Sequence, residues 1–343
     1  MAEEEVNDQQ ELFEHHRFIV DPGQSLIRID KFISSRIENV SRTRVQEAAN
    51  AGNILVNNNP VKPNYRVKPD DIIQVVLPNP PREIELIPEN IPINIVYEDD
   101  DVIVVNKEPG MVVHPAYGNY TGTLVNALMW YFRDLPLFNT GEMRPGLVHR
   151  IDKDTSGILV LAKNELALNR LSKQFYDRTT DRRYIALVWG IPEPHEGTIT
   201  GHVGRNIRDR KIMQVFADGS QGKNAVTHYK VLGDFSYVSI VECKLETGRT
   251  HQIRVHFSYI KHPLFNDAEY GGNRILKGTT FSKYQQFIRN CFAILPRQAL
   301  HAKSLAFDHP VTGKRLFFDS ELPDDMKQVI EKWRSYISGR ENN

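Results

Sequence analysis

Apolar residues near the N-terminus of this 343-residue chain repeat first at helical and then at strand spacing. Helical spacing connects four of them: Ile29, Phe32, Ile33 and Ile37. A second short helix is predicted between Ser41, a preferred N-cap residue, and Gly52, a preferred C-cap residue. Apolar runs at 54–57 and 72–77, bounded by turn residues, then predict two strands. The pattern predicts a small unit of two helices on a sheet over residues 17–78.

Proline interrupts every regular pattern between this unit and the rest of the chain. The prolines of this stretch are Pro80, Pro81, Pro88 and Pro92, a composition typical of a semi-rigid extended spacer. We therefore predict a linker over residues 79–92 and one larger domain over residues 93–343.

The larger domain shows short apolar runs of strand length, with helices at irregular intervals. A hairpin is predicted around the acidic turn 98–101, and a helix at 123–133. Further strands are predicted at 158–162, 183–189, 225–232 and 237–245. Asn164 caps one predicted helix, and another begins near residue 252. This order predicts an α+β fold with a mixed, mainly antiparallel sheet, preceded by the small α/β unit.

Composition adds no sign of a membrane or of an oxidising compartment. No apolar run approaches the roughly 18 residues of a transmembrane helix, and the acidic start has no apolar signal region. Cys243 and Cys291 are the only cysteines, too few for a disulfide framework or a cysteine zinc site. We therefore expect a cytoplasmic protein with two inert core thiols.

The net charge of zero hides an uneven distribution of acids along the chain. The first sixteen residues contain six acids and no Lys or Arg, so the remainder carries a net charge of +6. We predict that residues 1–16 form a disordered acidic tail. The positive remainder is compatible with RNA binding if its cations cluster.

The stretch 149–157 sets the carboxylate of Asp152 between the cation Arg150 and the tight turn of Thr155, Ser156 and Gly157. An apolar strand follows directly, so the loop has a rigid support. A charge in such a turn usually pairs with a neighbouring cation or caps the turn. The density of polar groups in front of a buried strand makes Asp152 a candidate catalytic carboxylate instead.

Two more polar clusters accompany predicted regular elements. Tyr184 enters a strand directly behind Arg182 and Arg183. Residues 246–256 form a turn into a helix that carries Arg254 beside its apolar face. Taken alone, Tyr184 is a half-buried strand aromatic and Arg254 is a surface cation.

The sequence predicts neither a metal site nor a nucleotide cofactor. His251 and His256 are five residues apart, so they face different sides of a helix, and no carboxylate stands at zinc-protease spacing. No glycine-rich dinucleotide or phosphate-loop motif occurs.

The N-terminal motifs, taken in order, resemble the small RNA-binding module named after ribosomal protein S4. The resemblance rests on 28–32, 41–44, 52–57 and 68–73. It implies that cations on and beside the helices meet RNA phosphates. These cations are Arg28, Lys31, Arg42 and Arg44.

From residue 18 onward the chain resembles the RluA-type RNA pseudouridine synthases. The resemblance rests on 107–115, 149–157, Arg183 with Tyr184, and 247–256, with further matches at 297–302 and 307–310. With the N-terminal module present, the chain is most similar to the RluD-like branch, which acts on large-subunit ribosomal RNA. The resemblance implies a pseudouridine synthase catalytic domain that isomerises uridine in RNA, with no cofactor, metal or membrane and as a monomer.

The resemblance also implies roles for single residues. Asp152 would be the nucleophile, and attack on the ribose C1′ and attack on the uracil ring both remain open. Arg254 would keep Asp152 charged, and Tyr184 would stack on the extruded uracil. Arg150 would enter the space that the flipped base leaves. The other implied substrate contacts are His149, Thr155, Lys107, His114, Ile253 and Arg249.

Other functions remain open on the sequence. A non-catalytic ribosome-assembly factor would use both domains for binding, and a glycosylase would cleave the same bond and release uracil. Among pseudouridine synthases, transfer RNA is the alternative substrate to large-subunit ribosomal RNA or a pre-ribosomal particle.

The chain departs from the family pattern at a few positions. Ile151 replaces the usual Leu, a change of shape that conserves volume. Lys261 and Asn266 stand where relatives commonly have Gly, and Asn tolerates left-handed backbone better than most residues. The stretch 271–295 is longer than expected and forms either an RNA contact or plain surface.

Overall fold

The chain divides between Glu83 and Ile84 into two units, each with its own hydrophobic core, in a computed structural model. The structure describes residues 12–23, 26–37, 40–78, 86–115, 119–138, 144–206, 209 and 212–341. None of the helices within these ranges is long and apolar enough to cross a membrane.

The N-terminal unit packs two helices on a four-stranded antiparallel sheet. Its elements are β1 Phe13–Ile19, α1 Ile29–Arg36, α2 Arg42–Asn50, β2 Ile54–Val56, β3 Asn59–Pro60 and β4 Ile72–Leu77. The strands lie in the order β1-β4-β2-β3. Phe32, Ile33 and Val45 are buried, so the predicted apolar faces of both helices form the core of this unit. Ser41 caps α2 as predicted, because its side chain accepts a hydrogen bond from the backbone N–H of Arg44.

Part of the predicted acidic tail is a strand. Residues 13–16 belong to β1 and pair with β4, so the prediction of disorder is wrong for them. Gln74 on β4 donates a side-chain hydrogen bond to the carboxylate of Glu14 (2.6 Å), which gives this acid a partner across the ladder. Residues 1–11 of the predicted tail lie outside the described residues.

The larger unit combines a large sheet with five α-helices in the part of the chain that the structure describes. Its strands are β5 Ile95–Glu98, β6 Val102–Lys107, β7 Ser156–Ala162, β8 Asp181–Trp189, β9 Glu196–Arg205, β10 Met213–Phe216, β11 Lys223–Asp234, β12 Val238–Leu245, β13 Leu300–Asp308 and β14 Arg315–Asp319. Its helices are α3 Leu124–Tyr131, α4 Glu165–Asp177, α5 Gln252–Tyr259, α6 Ser282–Ile294 and α7 Asp324–Glu341, with a short 3₁₀ helix at Pro136–Phe138.

The sheet of the larger unit runs in the order β10-β9-β11-β12-β8-β13-β7-β6-β5, and β14 pairs with β13 outside this path. Among the described strands every neighbouring pair is antiparallel except β7 with β13. The predicted α+β class with a mixed, mainly antiparallel sheet is therefore confirmed.

The second half of the predicted linker belongs to the larger unit. The carbonyl of Ile87 accepts a hydrogen bond from the side chain of Asn126 (2.8 Å), and the backbone N–H of Glu89 donates to the carbonyl of Asn126 (2.9 Å). The carboxylate of Glu89 also accepts from the backbone N–H of Gly122 (3.0 Å). The prediction of a free spacer is therefore wrong for residues 87–89, and residues 79–85 lie outside the described residues.

The junction between β7 and β13 fixes the loop that precedes β7. Every residue of β7 is buried, and Gly157 at its start has a φ of +119°. A Cβ on Gly157 would lie 2.2 Å from the carbonyl oxygen of Ala302 on β13, so the close approach of these strands requires glycine. Because His301 of β13 pairs with both Ser156 and Ile185, the start of β7 lies level with the middle of β8.

Candidate active site

The loop that carries Asp152 is anchored through the backbone carbonyls of the two residues that follow it. The ammonium of Lys107 donates to the carbonyl of Lys153 (2.8 Å), and the guanidinium of Arg297 donates to the carbonyl of Asp154 (2.9 Å). Both cations are buried, so these hydrogen bonds are shielded from water. The position of Asp152 is therefore set by two distant parts of the chain.

Lys107 was predicted to contact substrate, but its ammonium is fully used by the protein. It is 3% exposed and donates to the carbonyls of Glu108, Met111 and Lys153 at 2.7 to 2.8 Å. Burial lowers the pKa of Lys107 to about 7, and the charge of Asp154 opposes this effect. Lys107 does not line the cavity beside Asp152, so the structure assigns it to holding the loops together.

His114 was the other predicted substrate contact from this loop. Its Nε2 accepts a hydrogen bond from Nε of Arg144 (3.0 Å), and it does not line the cavity beside Asp152. The structure therefore does not support the prediction that His114 contacts the substrate at this cavity.

The other site residues predicted for the larger unit line one cavity of about 380 Å³. This volume lies within the roughly 300–1,000 Å³ typical of small-molecule sites. The predicted residues that line it are His149, Arg150, Asp152, Thr155, Tyr184, Arg249, Ile253 and Arg254. They come from the loop before β7, from β8, from the turn after β12 and from the first turn of α5.

Arg254 links Asp152 to two further carboxylates. Its Nε and Nη2 donate to both oxygens of Asp267 at 2.7 and 2.8 Å, and Nη2 also donates to Glu269 at 2.6 Å. Its Nη1 lies 3.4 Å from Oδ2 of Asp152. Burial alone would lower the pKa of Arg254, but the hydrogen bonds and charge of Asp267 raise it above its ordinary value, with help from Asp152 and Glu269. The guanidinium therefore remains charged beside Asp152.

Tyr184 lies on β8 and presents its side chain to the same cavity. It is 7% exposed, and within the described ranges no protein group hydrogen-bonds to its hydroxyl. Burial raises the pKa of Tyr184, and Asp152 adds to this effect, so the hydroxyl is protonated at neutral pH. A neutral phenol with a free hydroxyl can contact a planar base and donate a hydrogen bond.

His149 lines the cavity but also holds the loop to its strand. Its Nε2 accepts a hydrogen bond from the backbone N–H of Val160 on β7 (3.1 Å), and its ring stacks on Phe175 at 4.5 Å between centroids. Burial lowers the pKa of His149 to about 3, so the ring is neutral. Sequence reasoning gave His149 only a substrate contact and missed this second role.

His251 is a site residue that sequence reasoning did not include. It stands at the N-cap of α5 with a φ of +54°, and its Nε2 lies 3.9 Å from Oδ1 of Asp152. Its Nδ1 lies 3.0 Å from the hydroxyl of Tyr270, which also accepts a hydrogen bond from the backbone N–H of Met213 (2.9 Å). A strained, half-buried imidazole beside the focal carboxylate is typical of a functional position.

The cations predicted for the N-terminal unit fall into two groups. Arg28 and Arg42 both donate to the buried carboxylate of Asp30, at 3.0 and 3.1 Å for their Nη2 atoms. Lys31 and Arg44 are exposed, and no ion pair links either of them to another described residue. Asp30 therefore fixes two of the four predicted RNA contacts.

One group of metal-ligand residues lies close together among the residues the structure describes: Asp99, Asp101 and His309. Nδ1 of His309 accepts the backbone N–H groups of Val311 and Thr312 (3.2 and 3.1 Å). A neutral His309 therefore carries its proton on Nε2, which lies 2.9 Å from Oδ2 of Asp99. This geometry favours a hydrogen-bonded cluster that ties β13 to the turn between β5 and β6.

Comparison with known protein families places two domain models on the chain. The RNA pseudouridylate synthase model matches residues 101–259, which include the whole of the cavity except Leu300. The S4 domain model matches residues 27–73, in the N-terminal unit. Both predicted resemblances are confirmed.

Known relatives extend the match to almost the full chain. An uncharacterized RNA pseudouridine synthase of Chlorobaculum parvum is 46% identical over 321 residues, which cover 93% of this chain and 98% of that protein. Ribosomal large subunit pseudouridine synthase D of Zymomonas mobilis is 42% identical over 306 residues, covering 89% of this chain and 93% of that protein.

A solved structure shares the fold at lower sequence similarity. Human RNA pseudouridylate synthase domain containing 4 aligns with a TM-score of 0.50 at 23% identity, covering 70% of this chain and 93% of that chain. The family model and the full-length relatives show that the chain belongs to the RNA pseudouridine synthase family, isomerases that convert uridine to pseudouridine in RNA.

Proposed function

We propose that this protein isomerises specific uridines of large-subunit ribosomal RNA, with Asp152 as the nucleophile. The observation that carries the proposal is the convergence of Asp152, Tyr184 and Arg254 on one cavity, although Asp152 and Arg254 are 102 positions apart in sequence. A carboxylate, a neutral aromatic hydroxyl and a buried guanidinium are the groups that this isomerisation requires.

The reaction breaks the N1–C1′ bond of uridine, turns the uracil and forms a C5–C1′ bond. Asp152 attacks either C1′ or the uracil ring, and the electron pair of the broken bond passes to N1. After the new bond forms, the proton on C5 is lost and N1 gains a proton, so Asp152 is regenerated and no redox change occurs. The guanidinium of Arg254 faces the negative charge of Asp152, and Tyr184 lies against the uracil.

Access to the cavity requires the target nucleotide to leave its stack. Unstacking costs a few kcal/mol and least in unpaired loops, so a hairpin or internal loop is the expected target. Arg150 is exposed at the cavity wall, where it can enter the space that the base leaves. The cavity around the target nucleotide is also lined by His149, Thr155, Ile253 and Arg249.

The choice of ribosomal RNA is supported by the relatives and by the N-terminal unit. The Zymomonas mobilis relative is named for the large ribosomal subunit, and this chain covers almost all of it. We propose that Arg28, Lys31, Arg42 and Arg44 bind phosphates of the same RNA.

The proposal is tested by mapping pseudouridines in ribosomal and transfer RNA from cells with and without the gene. We expect one or a few large-subunit sites to disappear without the gene, to return with the wild-type chain, and to stay absent with Asp152→Asn. Loss of sites only in transfer RNA would contradict the ribosomal assignment. Free uracil among the products would indicate a glycosylase, and restored ribosome assembly by Asp152→Ala alone would indicate a binding factor.

A further inference from the structure

Arg182 is a buried cation without a counter-charge. It is 7% exposed, its Nε has no hydrogen-bond partner, and no carboxylate pairs with it among the residues that the structure describes. Burial lowers the pKa of Arg182, a sign that the protein does little to compensate its charge. A buried and unpaired cation costs stability, so its retention at a cavity wall requires a reason.

The protein packs around Arg182 without pairing it. Its guanidinium lies 5.5 Å from the ring centroid of Phe175, a cation–π contact that leaves the N–H groups available. A Cβ on Gly248 would lie 2.8 Å from Nη1 of Arg182, so the absence of a side chain at Gly248 makes room for the guanidinium. Arg182 lines the same cavity as Asp152.

Other cations stand on the same wall. Arg178 caps α4 in the left-handed conformation (φ +61°), a position where glycine is usual, and Arg249 follows Gly248. Burial and the nearby charge of Arg178 both lower the pKa of Arg249, so these two cations repel each other. Glu246, the other acid at the cavity besides Asp152, lies 2.6 Å from His228. No ion pair among the described residues links Glu246 to Arg178, Arg182 or Arg249, so this wall carries three arginines that its own acid does not pair.

We propose that Arg182 binds a phosphate of the RNA backbone beside the target uridine, with Arg178 and Arg249 as its flanking cations. This inference rests on the proposed function and names the part of the substrate that the wall receives. Guanidinium groups bind phosphate through parallel N–H hydrogen bonds, and RNA offers no other fixed anion. Uracil is neutral, so it would leave the charge of Arg182 uncompensated.

The position of Arg182 on β8 sets which phosphate it meets. Alternate residues of a strand face the same side, so Arg182 and Tyr184 point into the cavity about 6–7 Å apart along the strand. The uracil lies against Tyr184 in the proposed complex. The phosphate at Arg182 therefore belongs to the target nucleotide or to its immediate neighbour.

Arg183 offers a matched control on the same strand. It is the next residue of β8, so it faces the opposite side of the sheet, and its guanidinium pairs with Glu242 (2.7 Å) and Asp181 (3.3 Å). Arg182→Met and Arg183→Met remove the same charge and retain an unbranched apolar stem. Only the first removes the proposed phosphate contact.

The experiment measures equilibrium binding of full-length protein to a large-subunit ribosomal RNA stem-loop selected by binding. All variants carry Asp152→Asn, so no turnover is needed and the result does not depend on catalysis. The stem-loop is made with single methylphosphonates, each of which neutralises one phosphate. In the background with Arg182 intact, we expect one methylphosphonate to weaken binding about tenfold.

In the Arg182→Met variant the same methylphosphonate should weaken binding less than about twofold, because the contact is already lost. The slope of log K against the logarithm of the salt concentration should become shallower by about 0.7 to 0.9 for Arg182→Met. It should remain unchanged for Arg183→Met. The proposal would be overturned if each methylphosphonate weakened binding by the same factor with and without Arg182→Met. An equal loss in Arg183→Met would also overturn it, because net charge alone would then explain the effect.

A second measurement separates a binding role from a packing role. Because the charge of Arg182 is uncompensated without RNA, Arg182→Met should leave the Tm unchanged or raise it by about 2 to 4 °C. A clear fall in Tm with intact methylphosphonate sensitivity would assign Arg182 to packing and contradict the proposal.

Discussion

Three carboxylates contact the guanidinium of Arg254, and their distances from its nitrogen atoms indicate different roles. Asp267 is completely buried and holds the guanidinium through two short hydrogen bonds, whereas Asp152 lies at the longer distance of 3.4 Å. Bidentate pairing fixes the plane of an arginine better than a single contact. Asp267 therefore positions Arg254 and leaves the oxygens of Asp152 accessible from the cavity.

Replacing Asp267 tests this division of roles at the residue scale. Asp267→Asn should lower kcat by about 10- to 100-fold, since loss of a charge-assisted hydrogen bond costs about 1.5–3 kcal/mol. RNA affinity should stay within about threefold, because Asp267 touches Arg254 and not the substrate. Glu269→Gln is the control, and its partly exposed carboxylate predicts a smaller loss of kcat. Equal kcat losses in both variants, measured at saturating RNA, would contradict the assignment.

Buried histidines predict a loss of stability in acid. Burial lowers the pKa of His256 to about 4 from an ordinary value of 6.5, and its Nδ1 bonds to Thr227 (2.9 Å). Between these two pH values the unfolded chain binds more protons, so the free energy of unfolding falls as pH falls, by up to about 1.4 kcal/mol per pH unit. His149 and His301 have similarly lowered pKa values and add to this effect.

His256→Gln removes one of these titrating groups. Between pH 6.5 and 4 its free energy of unfolding should fall by about 2–3 kcal/mol less than that of the wild type. Denaturant unfolding followed by tryptophan fluorescence measures this, because all three tryptophans lie in the larger unit. Parallel pH profiles for variant and wild type would exclude the assigned role of His256.

Single residues show what the sequence could predict about the site. The roles of Asp152, Tyr184 and Arg254 were implied by the resemblance to the family, which rests on motifs around each of them, and all three residues line one cavity. Lys107 and Asp267 were not assigned their observed roles. The contact of Lys107 with the loop of Asp152 spans 46 positions and that of Asp267 with Arg254 spans 13, and no local pattern encodes which atoms those side chains reach.

At the scale of elements, strands with regular apolar residues were predictable and glycine-rich strands were not. The strands predicted at 183–189, 225–232 and 237–245 correspond to β8, β11 and β12, with ends that differ by at most two residues. Strand β9 was not predicted, since glycine is rare in strands. A Cβ on Gly201 would lie 2.4 Å from Val215 on β10, so close packing, which the sequence does not display, explains the glycine.

The stretch 271–295 is part of the core and not only surface. It contains α6, whose Tyr284 is buried and packs its ring against Trp333 of α7 at 6.4 Å between centroids. Tyr284, Ile288 and Cys291 are all buried and recur at helical spacing. This helical spacing is present in the sequence and would have predicted a buried helix face.

The turn after α5 contains two residues in the left-handed conformation: Lys261 (φ +70°) and Asn266 (φ +57°). Lys261 is exposed, so Lys261→Gly should raise the free energy of unfolding by about 0.5–1 kcal/mol through relief of backbone strain. Asn266 instead donates to the carbonyls of Phe292 (3.3 Å) and Leu295 (2.6 Å). Asn266→Gly should therefore lower stability by about 1–3 kcal/mol. Denaturant unfolding measures both, and a stabilised Asn266→Gly variant would contradict this reasoning.

At the scale of the whole molecule, the division into a small basic unit and a catalytic unit was predictable, but its boundaries were not. Proline content indicated where the two units separate, and the division at Glu83 and Ile84 lies inside the predicted linker of 79–92. Composition alone assigned residues 13–16 to a tail and 87–89 to a spacer. Their pairing with β4 and with Asn126 depends on partners far along the chain.

If the N-terminal unit serves RNA binding and not the chemical step, removing its exposed charges should weaken binding without slowing the reaction. The double variant Lys31→Gln with Arg44→Gln should bind RNA more weakly, and its slope of log K against the logarithm of the salt concentration should become shallower by about 1.5. Its kcat should stay within about twofold of wild type. Lys62→Gln with Lys68→Gln removes two exposed charges from the same unit and is the matched control. Filter binding over a salt series measures the effect. An unchanged slope in the first variant would show that Lys31 and Arg44 do not meet phosphates.

The most direct test of the central claim is the single-turnover rate of pseudouridine formation by the Asp152→Asn variant on RNA bound at saturation. The account predicts a fall of at least about 10³-fold, with an RNA dissociation constant within about threefold of wild type. Asp154→Asn removes the same charge two positions away, outside the cavity, and should retain most of the rate. A rate for Asp152→Asn within about tenfold of wild type would contradict the assignment of Asp152 as the nucleophile.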